Sequence, residues 1–393
     1  MEKFRFRLFK AKVKDILALD LSRKLSEKTE LLSEAISSQI KTKIANLETN
    51  DILQDSISQT IKDALLTWQS HREGNNSLVI LANPVSPLTR ILSDSLTDKL
   101  NNTLLDVESL SWQARLHNYS KIKTELLETV KPREKNNIAA DHSSFENQNI
   151  IIIPRLEWCF LRCIGGLEAI YTLRDLVVNH PERFWLIGCN NWAWQYLENI
   201  FQISAYLNQS IDLPLLSDTQ LKEWLTPIAN EIEPLWLEDR EWLKIKKKEL
   251  KKAQRKKLIL DEVQKVQERY YINLADISQG VATVAGDLWW RSLLVKETAE
   301  QKISYQIEKA KLPELPELVV TDLYLLYSLL LHGGMSLSHL ALSMGKNQSA
   351  IKARTQYLLQ TGVVSKEQEI LTVNPAYYPK LRSTLSNNNF LVG

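Results

Sequence analysis

Cysteine is scarce in this chain: Cys159, Cys163 and Cys189 are the only three in 393 residues. An odd, sparse set argues against a secreted disulfide scaffold. No CxxC pair and no pair of histidines stands near them, so a metal site is not expected, and small buried hydrophobes are the better reading. The six histidines (His71, His117, His142, His180, His332 and His339) show no metal-ligand spacing. No GxSxG, no Cys-His arrangement and no cluster of paired carboxylates occurs, which removes the common hydrolytic constellations. Charge of one sign is lacking too. A net charge of +2 describes neither a polyanion mimic nor a basic nucleic-acid coat, so any electrostatic function must be local. No apolar run reaches the roughly eighteen residues of a spanning helix.

What remains is a globular composition, 44% hydrophobic and 24% charged, long enough for about two to four domains. The start interleaves Phe4, Phe6, Leu8 and Phe9 with Lys3, Arg5, Arg7 and Lys10, without a signal core or cleavage site. A cytoplasmic location is expected. That basic, aromatic start suits either an acidic partner or anionic surface, or packing on its own domain.

Residues 1–70 read as helical, with Leu17, Leu21, Leu25, Ile36, Ile40, Ile44 and Leu47 at mostly three-and-four spacing. The pattern then changes to short apolar runs: Ser77–Ala82, Thr103–Val107, Ile150–Ile153, Arg183–Cys189 and Ile211–Leu215. Helical segments alternate with them, including Leu167–Val178 and a helix start at Ser217. Strands alternating with helices predict a parallel sheet. From about 225 to 312 the chain again reads as helical, and the prolines of Lys311–Pro316 mark a linker. At the end, helices over 322–331, 336–343 and 348–360 precede two strands around Ser365–Glu369, the order of a winged helix.

In an open parallel sheet, ligands bind beyond the carboxyl ends of the strands. After the first strand the chain reads Ala82-Asn-Pro-Val-Ser-Pro-Leu-Thr89. A phosphate loop wants GxxxxGK[ST] there. Thr89 fits the last position, but Leu88 stands for the lysine, and Ala82 and Pro87 for the glycines. Pro84 and Pro87 have no N–H to donate to a phosphate. After Ile153, where a carboxylate should hold magnesium, come Pro154 and Arg155, and Glu157 comes late for that role.

With these departures noted, the chain resembles an AAA+/STAND-type P-loop ATPase with a C-terminal winged helix. The resemblance rests on Ser77–Thr89 as first strand and loop, Ile150–Ile153 as the Walker B strand, and Arg183–Asn190 ending in a polar sensor position. It also rests on Leu274–Trp289 as the lid segment, where Gly280-Val281-Ala282 lacks the family's usual proline. It implies an α/β plus α fold: a P-loop-NTPase-like parallel-sheet core (73–225), a helical N-terminal region (1–72), a helical lid (226–312) and a winged helix (313–393). Ser86, Thr89 and Asn190 would line the degenerate nucleotide site, with Asn191 as the alternative sensor. Hydrolysis is expected to be lost. No cofactor is expected, binding of ATP without hydrolysis being the alternative. Oligomerisation would run through the ATPase-like core.

Two partner surfaces stand out. From Arg240 to Lys257 ten basic residues oppose two acidic ones, and Lys246, Lys247, Lys248, Lys251, Lys252 and Arg255 could follow a phosphate backbone or form a solvated arm. On the third C-terminal helix, Asn347, Gln348, Lys352 and Gln356 would face bases, with Arg354 and Lys366 nearer phosphate. Only Lys352 and Arg354 are basic on that helix, so a protein partner is favoured over DNA. Three readings follow. The first is a non-catalytic ATPase-like scaffold or regulator. The others are a nucleic-acid-binding protein and an active ATPase with an atypical phosphate loop.

Overall fold

The computed structural model describes residues 30–70, 75–97, 106–109, 115–116, 121–130, 149–236, 252–297 and 303–391. Its centre is a five-stranded parallel sheet in the order β3-β4-β5-β2-β6. The strands are β2 (Ser77–Ala82), β3 (Asp106–Ser109), β4 (Asn149–Ile153), β5 (Arg183–Asn190) and β6 (Ser210–Asp212). The parallel α/β core expected from the sequence is therefore present. Two strands differ from expectation. β3 is described over Asp106–Ser109, and the 101–105 part of the expected strand lies outside the described residues. β6 stops at Asp212, because Pro214 has no N–H to continue a ladder.

Both faces of the sheet are covered, which is why its strands read as unbroken apolar runs. Leu78, Ile80, Ile150, Ile152, Phe184 and Leu186 pack on one face against α2 (Asp51–Ser70) and α3 (Leu88–Thr97). Val79, Leu81, Ile151, Ile153, Trp185 and Ile187 face the other way, toward α5 (Glu168–Asn179) and α6 (Asn191–Phe201). Remaining helices before and after the core are α1 (Glu34–Ala45), α4 (Ile122–Val130) and α7 (Asp218–Ile232). The α7 start is fixed by a capping box: Gln220 N donates to Ser217 Oγ at 3.3 Å, and Ser217 N donates to Gln220 Oε1 at 2.8 Å.

The region 225–312 is not wholly helical. α8 (Lys252–Ser278) and α9 (Ala282–Arg291) are followed by β8 (Leu293–Glu297) and β9 (Ile303–Ile307). These join β1 (Glu30–Leu31) and β7 (Leu235–Trp236) in a second sheet, ordered β1-β8-β9-β7. The segment 311–316 has no regular structure, as its prolines require, yet Leu312 and Leu315 pack against the core, so it is a strap more than a free linker. The last part contains α10 (Val320–His332), α11 (Leu337–Ser343), α12 (Gln348–Gln360), the antiparallel pair β10 (Val364–Glu367) and β11 (Ile370–Val373), and α13 (Tyr378–Asn387). Among the described residues no helix is long and apolar enough to cross a membrane.

Candidate functional site

β2 and β5 are neighbours, yet β2 exits into α3 on one face and β5 into α6 on the other. Their carboxyl ends therefore diverge at the topological switch point, where a parallel sheet offers a ligand crevice. Gly188, on β5, lets the walls approach. A Cβ there would lie 2.8 Å from Leu92 Cδ1 and 2.9 Å from Leu88 Cδ2, and against the Pro154 carbonyl.

On the β2 side the loop 83–87 closes on itself. Ser86 N donates to Asn83 O at 2.9 Å, Leu88 N to Ser86 O at 2.9 Å, and Val85 N to Asn83 Oδ1 at 3.3 Å. Pro84 and Pro87 have no N–H. A phosphate cradle needs several such groups free and convergent. Leu88, at the lysine position, is fully buried. Ser86 belongs to the loop's internal hydrogen bonding. Thr89 lies in the first turn of α3, its hydroxyl buried and without a partner among the described residues.

On the β5 side Asn190 is wholly buried and caps α6. Its Oδ1 accepts from Ala193 N at 2.8 Å, and its Nδ2 donates to Leu331 O at 3.1 Å. The expected sensor is thus engaged at both ends of its amide, a helix cap that also holds α10. Asn191 is the first residue of α6, and its Oδ1 is buried without a partner among the described residues.

The sequence places Glu157 late for holding magnesium, on the loop or the next helix, and in the fold it lies in the turn after β4. A 3₁₀ turn over Leu156–Trp158 carries its carboxylate back to the strand ends, where it is completely buried. Oε2 accepts from Asn190 N at 3.2 Å, and Oε1 accepts from Arg155 Nε at 2.7 Å. The arginine that would oppose a magnesium ion is instead paired with this carboxylate.

The C-terminal segment covers these groups. Gly333 ends α10 at φ +67°, and a Cβ there would sit 3.2 Å from Glu157 Oε1. Arg115 is buried and gathers backbone carbonyls from both parts: Nη1 donates to Trp158 O and Phe160 O, and Nη2 to Glu157 O and, at 3.2 Å, to His332 O. Burial pushes its guanidinium down to about 10, opposed mainly by Glu157. Tyr378, at the start of α13, lies over Trp192 with ring centroids 6.1 Å apart. Burial raises its phenol, with Arg382, Trp192 and Asn83 acting the other way, which places the ring beside the loop after β2. Burial likewise pushes the Cys159 thiol up to about 12.

The basic surface is largely outside this picture. Lys246, Lys247, Lys248 and Lys251 lie outside the described residues, and Lys252 and Arg255 fall on the first turns of α8. Lys352 is exposed on α12, with Asn347, Gln348 and Gln356. Arg354 is not free for phosphate. It grips buried Asp322 through Nε, at 2.8 Å to Oδ1, and through Nη2 to Oδ2. Among the described residues no group of acidic, histidine or cysteine side chains could hold a metal ion.

No family model matches this chain, and no curated protein matches it. Similar solved structures include the Thermotoga maritima RuvB Holliday junction branch migration motor, at 12% identity over 88% of this chain and 94% of that one, with a TM-score of 0.25. The Aeropyrum pernix ORC2 protein is 11% identical over 85% of this chain and 92% of its own, with a TM-score of 0.35. Cdc6p from Pyrobaculum aerophilum is 13% identical over 86% and 95%, with a TM-score of 0.32. Likenesses at these scores carry no argument about this chain, and its fold class rests on its own sheet.

Proposed function

We propose that this protein is an ATPase-like scaffold or regulator that acts through protein contacts and does not turn over nucleotide. The observation that carries the reading is the loop after β2, whose Val85, Ser86 and Leu88 N–H groups bond within the loop, while Pro84 and Pro87 have none. A phosphate brought there would meet buried Leu88 and no ammonium. The neighbouring carboxylate and amide, Glu157 and Asn190, are held by Arg155, Ala193 and Leu331. Exposed apolar side chains support protein contacts. Val320 and Tyr324 stand one turn apart on α10, 67% and 44% exposed, and the Tyr324 ring meets Phe390 at 4.9 Å.

The test is calorimetry with ATP and ADP, with and without magnesium, on the full chain. No saturable heat is expected. Micromolar, magnesium-dependent binding would overturn the reading. A nucleic-acid role has its own support in the exposed Asn347, Gln348, Lys352 and Gln356 of α12. Duplex binding that falls steeply with salt, and weakens on Lys352→Glu, would favour it.

A further inference from the structure

We infer that His332 is an acid-sensitive latch: closure of the C-terminal segment over the strand ends requires its imidazole to be neutral. The inference rests on reading 320–391 as a cover on the switch point. His332 is the last residue of α10 and fully buried. Its ring lies against Phe160, with centroids 4.9 Å apart. Its Nε2 accepts the backbone N–H of Arg162 at 3.3 Å. That bond needs a lone pair on Nε2, so the ring must carry its proton on Nδ1. Adding a second proton would set N–H against N–H where the ring meets the Arg162 backbone in the loop after β4.

The surroundings oppose an imidazolium as well. Arg115 donates to the His332 carbonyl, Arg162 is its hydrogen-bond neighbour, and the charge of His339 on α11 acts in the same direction. The carboxylate near the α10 terminus, Glu157, is already bound to Arg155 and the Asn190 N–H. Burial, then Arg115 and Arg162, hold the His332 imidazole well below its ordinary range, while a backbone contact with Glu157 acts the other way. The end of a helix ordinarily favours a cation, but here that end is buried and already occupied by Arg115.

The sign follows from linkage. In the open form His332 is in water and titrates near its ordinary value of about 6.5. In the closed form it stays neutral to lower pH. Closure is therefore fully supported above about pH 6.5 and weakens tenfold per unit as pH falls toward the closed-state value. Between pH 7.5 and 5.0 the opening equilibrium should rise by up to about 30-fold, the limit for a closed form that takes up no proton over that range.

Hydrogen exchange by mass spectrometry on the full chain tests this, with rates corrected for the intrinsic pH dependence of amide exchange. Peptides over 156–163 and 329–335 should lose protection by up to about 30-fold from pH 7.5 to 5.0, while one over 184–189 in β5 keeps its own. His332→Gln, whose side-chain oxygen can accept the Arg162 N–H without titrating, should remove the dependence, and His339→Gln should leave it. Wild-type protection that does not change with pH would overturn the latch, whether or not His332→Gln folds. So would a dependence that survives His332→Gln. Nucleotide binding at pH 7.5 would overturn the proposed function and leave this pH slope to be judged separately.

Discussion

At the scale of the residue, Arg155, Glu157 and Asn190 at the switch point each have a partner from the same chain, whereas the Thr89 hydroxyl and Asn191 Oδ1 have none among the described residues. Glu157 shows the consequence most plainly. Replacing it with alanine removes the acceptor of both Arg155 and the Asn190 N–H at a fully buried position. Breaking such a buried pair costs about 3–5 kcal/mol, so Glu157→Ala should lower the urea midpoint sharply. Glu157→Gln keeps an acceptor oxygen and should cost less. The thiols give a second test. Cys159 and Cys189 are buried, with their thiols held protonated by burial, whereas Cys163 is partly exposed. Alkylation of the native protein near pH 8 should modify Cys163 and spare the other two, and mass mapping would reveal any other order. None of the buried partnerships is readable from spacing. Leu88, Pro87 and Arg155 could be found by position in the chain, but the role of Arg115 could not, because its acceptors are carbonyls from residues 157 to 332 that only the fold assembles.

At the scale of the element, legibility follows from how a strand is covered. β2, β4 and β5 are buried on both faces, so Ser77–Ala82, Asn149–Ile153 and Arg183–Asn190 show as continuous apolar runs. Ser217 likewise announces a helix start, because a capping side chain belongs to the local sequence. The second sheet was missed for the opposite reason. β1 and β7 are two residues each, too short for a period, and β8 follows α9 after a single turn residue. Two element-level outcomes are expected. Ser217→Ala should cost about 1 kcal/mol through loss of the capping box, measured by thermal or urea unfolding. Gly188→Ala should cost about 1–3 kcal/mol, since its Cβ would enter the Leu88 and Leu92 side chains of α3. A neutral effect would mean that α3 is less tightly seated than its contacts indicate.

At the scale of the whole molecule, the C-terminal segment is what distinguishes this chain from an open parallel-sheet nucleotide site. It reaches the core through Leu331, His332, Gly333 and Tyr378, and it reaches the turn after α8 through Arg382, whose Nη1 donates to Gln279 Oε1 at 3.3 Å. A ligand entering the crevice would have to displace that cover and unmake the Asn190 and Glu157 hydrogen bonds together. The most direct measurement is titration calorimetry of the 393-residue chain with ATP and magnesium at pH 7.5, where His332 is neutral and the cover is closed. The crevice as built requires no saturable heat up to nucleotide concentrations on the order of millimolar. Magnesium-dependent binding in the micromolar range would show instead that the strand ends open readily and that their polar groups serve a ligand.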